Sequence, residues 1–388
     1  MTIPPNGPAA EPTVERAARV ARTAAGPAAE QVDRDARLPV EALTALREAR
    51  PLFAMVPSEL GGESAGLAEV GRAVEALATS CGSTALIFAT HQVQVACLLR
   101  HARDSTALRA FLAEAAEGQL LIASATSETG AGGDARTSRC FLESADGRFR
   151  VDKQVPTMSY GAHADAALVS AARSADSSPH DQVLVLCRRP ELELEQTGTW
   201  DTLGFRGTCG PPRRLRAGGP LTHVLQDPFA DILSHTMLPV SHVLWGSVWL
   251  GLATRALNTA KRFLRESARR SPGVLPAESR ALVEVAGAHQ RLTVLVHDAA
   301  SRCDEASGDE LARPGTVVAM NNLKISASRL AVDVVAGALA VTGLAGYRND
   351  GRHALGRLLR DVYGGLVMVG NERIAANAAR LLLATGDV

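Results

Sequence analysis

The sequence predicts an α+β chain in which two helical regions enclose a small β-domain, and three observations carry that prediction. Residues 13–118 and 233–388 place apolar side chains at helical spacing, whereas residues 119–232 break into short β-branched or alternating runs. Aromatics make up only 4% of the 388 residues against 46% apolar in all, a composition suited to close-packed helices built from Ala, Leu and Val. Pro211, Pro212, Pro220 and Pro228 cannot sit inside long helices, which extends the β region to about Asp231.

Along the chain, residues 1–12 read as a Pro-rich disordered tail, without the basic and apolar stretches of a signal peptide. Residues 69–80 and 84–101 carry apolar positions at i, i+3, i+4 and i+7, with a loop at residues 59–64 and Ser83 as the cap of the second helix. Strands are expected at residues 120–125, 149–155, 166–172 and 182–187. Helices return at residues 245–270, 276–306, 316–342, 352–359 and 370–384. Residues 237–256 are apolar enough to suggest a membrane span, but Ser241, His242, Ser247 and two tryptophans favour a buried helix, so no membrane is expected.

Charge and cysteine narrow the function. Forty-one basic residues balance 41 acidic ones with no Lys/Arg tract, which argues against a nucleic-acid surface. Six cysteines without a Cys-x-x-Cys pair give no zinc or iron–sulfur pattern and suit reduced thiols in a cytoplasmic protein; no metal is expected.

Four segments carry chemistry. Ser127-Glu128-Thr129-Gly130-Ala131-Gly132-Gly133-Asp134 follows a strand with glycines that admit close backbone approach and with uncharged hydroxyls. It has neither the Gly-Lys-Ser/Thr of a phosphate loop nor the βαβ setting of a dinucleotide fingerprint. Thr157-Met158-Ser159 precedes an apolar strand, residues 201–208 read Asp-Thr-Leu-Gly-Phe-Arg-Gly-Thr, and residues 343–347 and 358–361 read Gly-Leu-Ala-Gly-Tyr and Leu-Leu-Arg-Asp.

In order and spacing these segments resemble the acyl-CoA dehydrogenase superfamily of FAD enzymes over essentially the whole chain from residue 13. The resemblance implies an N-terminal helical domain (13–118), a small β-barrel-like middle domain (119–232) and a C-terminal four-helix bundle (233–388). It implies FAD as cofactor, with the backbone of Thr126 and Ser127 and the glycines Gly132 and Gly133 at the flavin, and Thr157, Met158 and Ser159 over its other edge. Arg269 and Ser271 fall where the family holds the pyrophosphate, and Gly343 and Gly346 where it meets the adenylate of a neighbouring subunit. A homodimer or homotetramer follows, with residues 330–341 and 374–383 as apolar contact faces.

The pattern breaks at the catalytic base. The family's C-terminal glutamate position is Val369, and the alternative position on the first long helix after the β-domain is Ser241, with His242 beside it. Neither can act as a carboxylate, so His242 with Ser241, His91 near the cavity and, more remotely, Glu372 are the candidate substitutes. The same-fold flavin monooxygenases often carry a histidine where this chain has Met368. Three readings stand: an oxidoreductase on an acyl thioester of CoA or a carrier protein, served by electron-transfer flavoprotein; a monooxygenase supplied by a flavin reductase; and a silent acyl-binding homologue.

Overall fold

The computed structural model describes residues 11–130 and 135–384. Its N-terminal part is helical: α1 (Thr13–Val20), α2 (Gly26–Arg34), α3 (Val40–Ala49), α4 (Leu67–Ala78), α5 (Gly82–His101) and α6 (Thr106–Gly118). Seven strands follow: β1 (Ile122–Ala125), β2 (Glu143–Ala145), β3 (Arg148–Val155), β4 (Ala166–Ala172), β5 (Gln182–Arg188), β6 (Leu192–Gln196) and β7 (Arg213–Pro220). The rest is helical again: α7 (Phe229–Ile232), α8 (Leu238–Arg270), α9 (Ser279–Glu305), α10 (Gly308–Ala312), α11 (Pro314–Thr342), α12 (Leu344–Tyr347), α13 (Gly356–Val367) and α14 (Asn371–Ala384).

The strands form two sheets, a three-stranded β1-β4-β5 with β1 parallel to β4, and an antiparallel β2-β3-β7-β6. β4 is buried along its whole length, whereas β3 alternates exposed and buried. Lys153 joins the sheets: its buried Nζ on β3 donates to Ser170 O on β4 at 2.6 Å and to Ser170 Oγ at 3.0 Å.

Two expectations need correction. Ser83 is not a cap, because α5 begins at Gly82; its hydroxyl instead accepts the Gly207 N–H from 124 residues away, at 3.2 Å. The β region does not run to Asp231, since β7 ends at Pro220 and Phe229 starts a helix directly after Pro228. That helix continues into α8 through one wide π turn at Leu233–Met237, just ahead of Pro239. Pro239 has no N–H for the carbonyl one turn back, His235 O; Arg100 from α5 donates to it at 3.4 Å instead. A proline that would stop an isolated helix is thereby tolerated.

α8 is the spine of the molecule, packing on α4, α5, α9 and α11. Gly251 allows the approach of α4, for a Cβ there would sit 2.4 Å from Glu75 O. By length and hydropathy α5, the continuous helix Phe229–Arg270 and α11 could each cross a membrane, yet the first two are 89% buried within the fold. Only 44% of the apolar window of α11 is buried, and its exposed positions mix alanines with Asn322, Arg329 and Asp333.

Candidate active site

A cavity of about 160 Å³ lies where α5, the end of β1, the π turn, α8 and the α13–α14 corner meet. Thr126, Ser241, His242 and Val369 all line it, so residues scattered over the sequence converge there. No Asp, Glu, Lys or Arg is among its described lining residues.

His242 is fixed in one state. Its Nδ1 donates to Met320 O on α11 at 3.0 Å, which leaves Nε2 as the basic nitrogen. Burial pushes the imidazole down to about 4, against the pull of that carbonyl, and the Lys324 cation adds to the depression. The ring is neutral at pH 7. Ser241 Oγ donates back to Met237 O at 2.5 Å, so its proton is spent on the widened turn while its oxygen still accepts. Val369, at the glutamate position, sits in the left-handed region at φ 50°, a strained conformation for a β-branched residue.

Behind this corner lies Lys324, fully buried, with Nζ donating to Gly365 O at 2.9 Å and to Asn371 Oδ1 at 2.6 Å. These bonds hold the turn that carries Val369 against α11. Glu372 is exposed on the first turn of α14 and does not line the cavity.

His91 does not belong to the cavity. It is fully buried, with Nε2 donating to Leu52 O at 2.8 Å and Nδ1 accepting the Ile122 N–H at 3.1 Å. Both nitrogens are spent on backbone, and burial pushes the ring down to about 4. The expectation of a catalytic role is corrected to that of a staple between residues 51–53 and β1.

The hydroxyl-rich segments form a ledge beside the cavity. Ser127 Oγ donates to Thr157 O at 3.4 Å, and Thr157 Oγ1 to Gly210 O at 2.9 Å. Gly210 keeps the ledge compact, since a Cβ would meet Thr157 Oγ1 at 3.0 Å and Ser159 N at 3.2 Å. Thr157 is exposed and Ser159 half-buried, whereas the Met158 side chain is buried against Gly161 and offers a ligand only its backbone. An uncharged ledge of hydroxyls and amides suits a flat, partly polar heterocycle such as a flavin ring. Gly132 and Gly133 lie outside the described residues. Glu128 is tied to residues 138–140: its carboxylate accepts the Arg139 and Cys140 N–H groups at 3.0 and 3.1 Å and the Ser138 hydroxyl at 2.6 Å.

The residues expected at the pyrophosphate and adenylate lie elsewhere. Arg269 is about 40 Å further along α8 than His242, at a basic hollow with Lys261, Arg262 and Arg265. Arg269 and Ser271 are exposed, as is Gly343 at φ 53°. One chain does not bring them to the ledge. Gly346 is buried for a packing reason, because a Cβ would sit 2.0 Å from Thr342 Oγ1.

Sequence reading missed several participants. The motif at residues 358–361 and the one at 201–208 are halves of one contact: Asp361 accepts the Phe205 N–H at 2.6 Å and Arg360 Nε donates to Leu203 O at 3.1 Å. Asp361 is fully buried, which pushes its carboxyl up to about 6. Gln94 and Trp245 line the cavity, and each keeps a buried polar atom without a partner, Gln94 Oε1 and Trp245 Nε1. A second hollow of about 450 Å³, lined by Arg136, His180, Gln182 and Asn377 among others, shares Leu233 and Leu238 with the cavity. Another hollow, on the four-stranded sheet, holds none of the expected site residues and is lined largely by surface charges such as Arg139, Arg150 and Glu193.

Residues 8–119 match the acyl-CoA dehydrogenase N-terminal domain and residues 233–380 the C-terminal domain, together well over half of the chain. The chain belongs to the acyl-CoA dehydrogenase family. Among curated proteins it is 26% identical over 347 residues to the amino sugar nitrososynthase DnmZ of Streptomyces peucetius, covering 86% of this chain and 83% of that one. The structure of KijD3 with FMN and dTDP-3-amino-2,3,6-trideoxy-4-keto-3-methyl-D-glucose superposes with a TM-score of 0.84 at 23% identity, over 98% of this chain and 95% of that one. FMN-bound TdsC from Paenibacillus sp. A11-2 gives 0.84 at 19% identity, over 96% and 98%. Both structural likenesses establish the shared fold.

Proposed function

We propose that this family member is a flavin-dependent monooxygenase that oxygenates the amino nitrogen of a small substrate, an amino sugar carried on a nucleotide. The observation that carries the reading is the cavity wall. Abstraction of an α-proton from an acyl thioester needs a carboxylate near neutral pKa, and the family position holds Val369 while His242 stays neutral down to about pH 4. Oxygenation of a neutral amine needs no such base. The relative named as an amino sugar nitrososynthase, and the amino-sugar complex of KijD3, support the substrate class.

Reduced flavin, when bound, supplies the activation of dioxygen; one oxygen atom enters the N–H bond and the other leaves as water. The hydroxyls and backbone of Thr126, Ser127, Thr157 and Ser159 would hold the ring of FMN or FAD, and the FMN-bound KijD3 and TdsC structures support FMN. His242 Nε2 accepts a hydrogen bond, or the proton released as the nitrogen is oxygenated. Val369 and Trp245 exclude water. The adjoining hollow, with Arg136, His180 and Gln182, takes the polar nucleotide. A flavin reductase is the electron donor, and the exposed side of α11 packs against a second copy.

The test supplies purified protein with FMN, a flavin reductase, NADH, oxygen-18 gas and a dTDP-linked amino sugar. Mass spectrometry should find one oxygen-18 atom in a hydroxylamine product, or in the nitroso compound after a second round. Bleaching of the bound flavin by an acyl-CoA without oxygen, together with no label in the amine, would overturn the reading.

A further inference from the structure

A chain of buried polar contacts runs from β3 to the cavity wall, and it begins at a lysine. Lys153 is fully buried, and burial lowers its pKa only to about 8, so it is a cation at pH 7. Its Nζ donates to Ser170 Oγ at 3.0 Å, and that hydroxyl donates onward to Thr126 O at 3.4 Å. The Glu128 carboxylate stands 3.9 Å from the same Nζ, and the Thr129 N–H donates to Gln154 O, on the next residue of β3, at 3.0 Å. One ammonium thus faces both ends of the segment 126–128. β1 runs parallel to β4 with Ala125 paired to Val169, which is why Thr126 leaves the strand beside Ser170. Thr126 is half-buried and lines the cavity, and among the described residues nothing accepts the Ser127 N–H of the same peptide. Fastening two sheets requires no charge: a well-packed apolar side chain of like volume is often as stabilising as a buried ion, or more so.

We infer that Lys153 is a positioning residue for the flavin: acting through Ser170, it fixes and polarises the Thr126–Ser127 peptide at the cavity wall, and thereby favours reduced over oxidised flavin. This rests on reading the ledge and cavity as the flavin site, and it assigns part of the redox bias there to a side chain that does not line it. An ammonium only donates, so the Ser170 hydroxyl accepts from it and turns its own proton to Thr126 O. Hydrogen bonds in such a chain strengthen one another by about 10–30% each, and a charged donor at the head adds to this. A carbonyl that accepts more strongly leaves its amide N–H more positive. That donor favours the form of the ring with more negative charge, and reduction by two electrons adds that charge. Glu128 balances the cation without entering the relay, since the oxygen nearer Lys153 already accepts the Ser138 hydroxyl at 2.6 Å.

The test reconstitutes the full-length protein with FMN, for wild type, Lys153→Met, Ser170→Ala and the double variant. Binding of oxidised FMN is read by flavin fluorescence, and the midpoint potential of the bound flavin by equilibration with a reference dye at pH 7. Each single variant should lower the ratio of reduced to oxidised affinity about fivefold, a midpoint about 20 mV more negative. The double variant should fall no further than Lys153→Met alone, because both residues act in one relay. A role in packing alone would weaken both forms of FMN together and leave the potential where it was. Ser170→Ala keeps the Lys153 bond to Ser170 O and the Glu128 contact, so it reports on the relay even where Lys153→Met loosens the sheets. A wild type that binds no FMN, an unchanged potential in Ser170→Ala, or effects that add in the double variant would overturn the inference. No oxygenation is measured, so a protein that holds FMN but oxygenates no amine leaves this result standing, and unmoved potentials leave the oxygenation reading standing.

Discussion

Replacing His91 by leucine separates a structural histidine from a catalytic one. In the folded protein Nδ1 accepts the Ile122 N–H and Nε2 donates to Leu52 O, so a proton added to Nδ1 would face a donor. The folded ring therefore holds out to about pH 4, while the unfolded one protonates near its ordinary 6.5. Between those values the unfolded chain binds more protons, so the stability that neutral His91 contributes is complete above 6.5 and drains away as pH falls. The gap is worth about 3 kcal/mol in full and about 2 kcal/mol by pH ~5. In His91→Leu the Ile122 N–H loses its partner at a cost of about 1–3 kcal/mol, whereas Leu52 O keeps the Gln92 amide at 2.9 Å. Urea unfolding of both proteins at about pH 7.5 and pH 5 should find the variant weaker at the higher pH and the difference smaller by about 2 kcal/mol at the lower. His242 and Asp361 titrate in the same window, the latter with opposite sign, but they are common to both proteins and cancel. A difference that does not move with pH would refute the reasoning. So would a fall of orders of magnitude in turnover per folded molecule.

Three further outcomes are expected. His242→Gln should lower turnover by about ten- to a hundredfold, and the wild-type rate should show no inflection near pH 6.5, because the ring stays neutral to about 4; an inflection there would contradict the buried geometry. Val369→Gly relieves a left-handed valine, and against the added freedom of the unfolded chain the net gain should be about 1 kcal/mol, seen as a higher Tm in a thermal melt. Lys324→Met removes a buried cation whose pKa burial lowers to about 8; the stability difference between wild type and variant should move in favour of the wild type from about pH 8 to pH 10, since only the unfolded lysine stays charged there, while Lys153 and the buried cysteines are common to both and cancel.

Much of the site was legible, but unevenly. Val369, Ser241 and His242 were found by counting from flanking motifs, and the structure gathers all three at one cavity because α8 and the α13–α14 corner pack on the same helix, α11. His91 and His242 were indistinguishable as histidines on apolar helices. Their difference lies in partners remote in sequence: Leu52 and Ile122 take both nitrogens of one, and Met320 takes a single nitrogen of the other. Gln94 and Trp245 carried no signal, since a missing hydrogen bond is a property of surroundings and not of residue type. Pro228 misled for a related reason: a proline bars a helix interior, yet it stands readily just before the first turn.

By itself the sequence determined the α–β–α order and the absence of a carboxylate at either family position, because periodicity records which face is buried and a side chain that is not there cannot be supplied by folding. Only the tertiary structure decided what holds what: that Asp361 clamps the segment at Phe205, that Glu128 binds residues 138–140, and that Met320 takes one ring nitrogen of His242 at the cavity. The physical reason is range. Helical and strand periods are set by neighbours along the chain, whereas a buried polar atom finds or lacks its partner across hundreds of residues.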